Sequence, residues 1–155
     1  MSEIQCPCGQ GVYRNCCQPL HLGTAYAETA AQLMRSRYSA FAVHDIDYIV
    51  QTTAMGQQSA LDVAAIREWS ESNQWLKLEV VQAQEKLDKT HAQVEFKAHY
   101  HDGQQAQVHH EVSHFVKHEQ RWYFLDPTTD LKITMKQPCI CGSGRKFKQC
   151  CAQFL

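Results

Sequence analysis

Between Cys17 and Cys139 the chain has no cysteine, although it carries eight in 155 residues. That gap excludes thiols used as scattered core filler, which would be spread along the strands and helices. An excess of one charge is missing too. Fifteen basic residues face sixteen acidic ones, which excludes a global pull toward nucleic acid or an anionic membrane. No apolar run approaches the roughly 18 residues that a spanning helix needs. The start, "MSEIQCPC", has neither the basic patch nor the apolar stretch of a signal peptide. The expected location is the cytoplasm, where thiols stay reduced. What is present is 44% hydrophobic residues, enough for one domain of ordinary size with short appendages.

The cysteines form two similar words. "CPCGQGVYRNCC" holds Cys6, Cys8, Cys16 and Cys17; "CICGSGRKFKQCC" holds Cys139, Cys141, Cys150 and Cys151. A disulfide between adjacent cysteines, or across one residue, has poor geometry. Pairing Cys6 or Cys8 with Cys16 or Cys17 would need an oxidising compartment. Four thiolates around one tetrahedral ion account for both words, and four cysteines make a standard closed zinc site. Redox thiols are the competing reading. Gly9, Gly11, Gly142 and Gly144 supply the tight backbone of such a knuckle, and neighbouring N–H groups can donate to the sulfurs. Four thiolates on Zn²⁺ leave a formal charge of −2, which Arg145, Lys146 and Lys148 would balance; the first word has only Arg14. With every position filled by sulfur, the expected metals fold something rather than catalyse.

The second word resembles the SEC-C motif, the zinc knuckle at the C-terminal end of the SecA translocase ATPase, in its four cysteines and in Gly142, Ser143 and Gly144. The first has the same residue types, but is one residue shorter between Cys8 and Cys16 and has Gln10 in place of serine. In SecA the knuckle engages a chaperone and the ribosome. For this chain the resemblance implies a protein partner on the basic surface of the second knuckle.

Between the words, Ala30, Met34, Tyr38 and Phe41 recur at helical spacing, with Thr24 as the expected N-cap. "DIDYIVQTT" predicts a short helix with Ile46, Ile49 and Val50 inward. "SALDVAAIREWSESN" predicts a third, capped by Ser59 with Asp62 and running to about Ser70. After Gln74 the period becomes two: "WLKLEVVQA", "HAQVEFKAHY", "AQVHHEVSHFVKH" and "RWYFLD" predict four strands. Asp102-Gly103 signals a two-residue hairpin. Taken literally, it pairs Phe96 with His109 and sets apolar against polar residues. A bulge, a longer loop or a sheet covered on both faces would relieve this, and a bulged, strongly curved sheet is the expectation.

Helices followed by a curved antiparallel sheet make an α+β fold. The order resembles the cystatin-like fold of the nuclear transport factor 2 superfamily, a bent sheet wrapped around a helix with a pocket at its mouth. "LMRSRYSAF", "DIDYIVQTT", "WLKLEVV", "HEVSHF" and "RWYFLD" are similar to the bacterial YchJ family over essentially the whole chain, with Pro127 where that family tends toward glycine. The resemblance implies a knuckle over 1–20, a cystatin-like domain over 21–136 and a second knuckle over 137–155. It implies no settled activity.

Nine histidines are many for this length, and five lie between His99 and His114. Alternation puts His110 and His114 on one strand face, and His109, Glu111, Ser113 and Phe115 on the other. His110, Glu111 and Asp126 are the candidates for acid–base work in a pocket that takes a small molecule. Arg35 and Tyr38 share a helix face; Arg37 points elsewhere and reads as solvated surface. Trp69, Trp75 and Trp122 read as core or rim anchors. The leading expectation is a non-enzymatic zinc adaptor. A catalytic or ligand-binding cone is the alternative. RNA binding through Arg145, Lys146, Phe147 and Lys148 comes third.

Overall fold

A 14-residue helix, α2 (Ala30–Val43), follows a short α1 (Gln18–His21) and forms the spine of the protein, which the computed structural model describes over residues 3–155. Thr29 rather than Thr24 caps it, accepting from the Gln32 amide at 3.0 Å; Thr24 instead donates to the Pro19 carbonyl. Glu85, far along the chain, completes the cap. Its two carboxylate oxygens accept from the amides of Ala30 (2.8 Å) and Ala31 (3.1 Å), where the helix end presents unpaired N–H groups and a partial positive charge. Glu85→Ala should therefore cost about 1–2 kcal/mol, measurable as a lowered denaturation midpoint at unchanged slope.

Two short helices follow, α3 (Ile46–Gln51) and α4 (Val63–Glu71), capped by Asp45 and Asp62. Asp62 takes the cap expected of Ser59 because Ser59 lies inside the 3-10 turn Met55–Ala60. Four strands complete the fold: β1 (Gln74–Gln84), β2 (His91–His101), β3 (Ala106–His118) and β4 (Arg121–Leu125). They form one antiparallel sheet in sequence order. Helices and sheet thus make the mixed fold expected. Ala92, Val94, Phe96 and Ala98 alternate inward from β2 and meet Leu33, Met34 and Tyr38 of α2 in the main core. Burying each such aliphatic or aromatic side chain stabilises by about 1.5–3 kcal/mol.

The strand pairing differs from the two-residue hairpin. His101 pairs with Ala106, leaving a four-residue connection, and Phe96 faces Glu111. Asp102 closes that loop by accepting from the amides of Gln104 and Gln105, both at 2.8 Å. The bulges lie elsewhere, in β1 opposite β2, at Trp75/Lys77 and Val80/Gln82. No helix among the described residues is long and apolar enough to cross a membrane.

Candidate metal centres and the cavity beneath the sheet

Each cysteine word folds into the same device. Residues ahead of the first cysteine bridge back to the chain, Gln5 to Val12 and Pro138 to Lys146. The Cys-x-Cys turn is closed by Gly9 N–H to the Cys6 carbonyl (2.9 Å) and Gly142 N–H to the Cys139 carbonyl (3.2 Å). Gly9 and Gly142 have φ of 84° and 89°, a left-handed conformation that L side chains resist. A 3-10 turn, Tyr13–Asn15 or Phe147–Gln149, then delivers the adjacent cysteines. The third cysteine has nearly the same unusual backbone in both copies: φ −119°, ψ −96° at Cys16 and φ −132°, ψ −100° at Cys150. The first knuckle's missing residue comes out of the glycine turn. Cys6 N–H reaches the Gly11 carbonyl, where Cys139 N–H reaches one residue further along, to Arg145. The deletion therefore leaves all four sulfurs in place.

Within each cluster the four sulfurs lie within 4.8 Å of one another. Cys8 and Cys16 are 3.4 Å apart, Cys141 and Cys150 3.6 Å, and Cys150 and Cys151 3.8 Å. A tetrahedron with metal–sulfur bonds of ~2.3 Å needs sulfurs about 3.8 Å apart. The thiols cannot all ionise side by side unaided. Hydrogen bonding from Cys17 is the main influence bringing Cys8 down to about 5, while burial and the Cys8 sulfur push Cys16 up to about 12. Cys141 is held well below the ordinary thiol value by Cys139 and Cys151, and Cys151 is driven far above it by the same neighbours. A bound cation at the centre removes that conflict.

Both knuckles are docked on the body. Ser39 of α2 sits 3.4 Å from the Cys6 sulfur. Beside it, His21 Nε2–H donates to the Ser36 carbonyl and its Nδ1 accepts from the Tyr13 hydroxyl at 2.7 Å. The second knuckle is set deeper. Cys139, Cys141, Cys150 and Cys151 share a buried cluster with Ile140, Phe147, Ala54, Val116 and Leu125. A Cβ on Gly56 would stand 2.8 Å from Ile140, so the knuckle seats directly on bare backbone there. His91, 1% exposed, spans from the sheet to the site, with Nε2 3.3 Å from the Cys151 sulfur and Nδ1 2.9 Å from Asp88. A histidine braced by a carboxylate and aimed at a ligand sulfur is the outer support that metal ligands generally need.

A separate cavity of about 170 Å³ opens between α2 and the inner sheet face. Glu111, Asp126 and Arg37 are its charged lining. His109 Nε2–H donates to Glu111 at 3.1 Å and the Ser113 hydroxyl donates to the other oxygen. These bonds, His109's foremost, hold Glu111 below the usual carboxylate range, and Glu111 in turn raises His109. The Asp126 Oδ1 accepts from the amide and hydroxyl of Thr128, in the turn that carries Pro127.

The sequence matches the family described as "YchJ, middle NTF2-like domain" over residues 29–127, and the SEC-C motif over 135–153. A UPF0225 protein of Haemophilus influenzae strain PittEE is 51% identical over 162 aligned residues, covering 100% of both chains. The chain belongs to the UPF0225 (YchJ) family. A UPF0225 protein of Actinobacillus succinogenes is 45% identical over 97% of each chain. The crystal structure of a SEC-C motif containing protein from Psychrobacter arcticus superposes with a TM-score of 0.89 at 46% identity, covering 97% of each chain. The solution structure of a SEC-C motif containing protein from Rhodopseudomonas palustris gives 0.73 at 40% identity, covering 79% of this chain and 96% of that one.

In this UPF0225 chain the three acid–base candidates do not come together. Glu111 and Asp126 face the cavity, but His110 lies on the outer face and bonds Glu95 at 2.7 Å. Successive strand residues point to opposite faces, so His109 takes the inner place. Arg37 is not solvated surface; it is 6% exposed at the base of the cavity, because that face of α2 packs on α3 and β4. Phe147 is 5% exposed within the knuckle, which removes the stacking ring from the basic-aromatic patch. Trp122 is buried in the core, while Trp69 and Trp75 line the cavity.

Proposed function

We propose that this protein is a non-enzymatic, cytoplasmic adaptor stabilised by two structural zinc ions. Cys6, Cys8, Cys16 and Cys17 would hold one, and Cys139, Cys141, Cys150 and Cys151 the other. The observation that carries the reading is the pair of four-sulfur clusters, each supplying a full tetrahedral set and so leaving no position for water or substrate. Borderline-soft Zn²⁺ is the ion that four thiolates favour at this geometry. The zinc supplies folding free energy rather than chemistry.

Around the second site Arg145, Lys146 and Lys148 are exposed while Phe147 anchors the turn beneath them. That cationic rim on a rigid base suits an acidic segment of a protein partner. Elemental analysis should return two zinc ions per chain. The double variant K146E/K148E should keep both ions and lose partner capture in a pulldown. Capture that survives with both charges reversed would remove the knuckle surface from the reading, and metal-free protein would remove the zinc.

A further inference from the structure

Arg37 is a buried cation whose bonds are all spent on one nitrogen. Nη1 donates to the Ile49 carbonyl (2.9 Å) and the Thr52 hydroxyl (2.7 Å), with the Thr53 hydroxyl further off at 3.4 Å. These partners are uncharged. The guanidinium carbon sits 4.4 Å over the Phe124 ring, which covers one face of the group. A guanidinium carries five N–H donors in a planar fork, so the Nε–Nη2 edge remains. No fully enclosed polar side-chain atom among the described residues lacks a partner, and Arg37 lines the cavity. That edge therefore opens into it.

The surroundings select what the edge would bind. Glu111, the inward carboxylate of β3, already accepts from His109 at one oxygen and from Ser113 at the other, and Asp126 Oδ1 accepts from Thr128. Neither makes a hydrogen bond to Arg37, although both act on it through space. Above the cation the wall is aromatic: Trp69 meets Trp75 edge-on at 5.7 Å, and Phe41 lies 5.6 Å from Trp75. An apolar cavity of about 150 Å³ accommodates one benzene ring, so 170 Å³ allows a single ring with a small head group. A planar acceptor that takes two parallel N–H bonds from an arginine edge is a carboxylate.

We propose that the cavity binds a small monocyclic aromatic carboxylate, its carboxylate on the free edge of Arg37 and its ring against Trp69, Trp75 and Phe96. This site is independent of the metal centres and of the adaptor reading. Benzoate, benzyl alcohol and benzylamine, three probes with one ring and different head groups, test it by titration against tryptophan fluorescence. Benzoate should bind saturably and about tenfold or more tighter than benzyl alcohol, the margin expected of a charge-assisted pair. Arg37→Met should abolish that margin, benzoate falling to the level of benzyl alcohol or below. Independently of any variant, NMR cross-peaks from the benzoate ring in the wild-type protein should fall on Trp69, Trp75 and Phe96. Benzylamine binding as tightly as benzoate, no saturable benzoate binding, or cross-peaks confined to the outer sheet face would each overturn the proposal.

Discussion

Replacing Cys141 with serine should release one metal ion per chain and lower the melting temperature by roughly 10–20 °C. The size follows from where the sulfurs sit. Zinc binding to small knuckles contributes on the order of 10 kcal/mol of folding free energy. Losing half of that, at about 2–4 °C per kcal/mol for a chain of this length, gives the stated shift. The second knuckle has no separate core to fall back on, since its cysteines pack with Val116 and Leu125 of the sheet and with Ala54. Cys8→Ser should also cost one metal ion, yet lower the melting temperature much less. Among the described residues its apolar cluster consists of the cysteines and Tyr13, separate from the main core. Metal counts by elemental analysis and calorimetric melting of both variants make the comparison. Equal shifts for both would mean that the two knuckles are equally integrated, against the packing described.

The other large effect is expected at His91, which ligates nothing. His91→Leu removes the ring nitrogen 3.3 Å from the Cys151 sulfur and leaves Asp88 only the amides of Thr90 and residue 91, at a position only 1% exposed. Loss of an outer support of this kind typically weakens metal binding about 10–100-fold. Competition with a chromophoric chelator should show that loss in the ion of the C-terminal site alone, with the N-terminal site unchanged. His91→Gln, which keeps a donor of similar reach, should recover part of it. Unchanged chelator competition in the leucine variant would assign His91 to packing against Phe154, whose ring centroid is 4.5 Å away.

The two four-sulfur clusters were legible because cysteine spacing is a local property. Eight cysteines in two dense words specify their grouping before any tertiary structure is considered, and the one-residue shortening costs only loop. The inner strand face was legible for the same reason: alternation alone groups His109, Glu111 and Ser113. The acid–base trio failed because it joined neighbours, His110 and Glu111, that a strand must send to opposite sides. Turn residues were a poor guide to hairpin geometry. Asp102-Gly103, a strong turn signal, lies in a four-residue loop whose Asp102 cap outweighs it. Glu119-Gln120, with no glycine or asparagine, makes the two-residue turn between β3 and β4 with φ of 50° and 67°, because the paired strands dictate it. Arg37 and His91 were invisible for a common reason. Each is a polar residue made interior by elements distant in sequence, α3 and β4 for the first and the second knuckle for the other.

Because Cys139, Ile140, Phe147 and Cys151 close over Val116 and Leu125, the ribosome makes the strands before it makes their cover. A chain ending at residue 136 would leave that apolar corner uncovered. With a metal ion needed to hold the four sulfurs together, covering that corner would wait on metal supply as well as on translation.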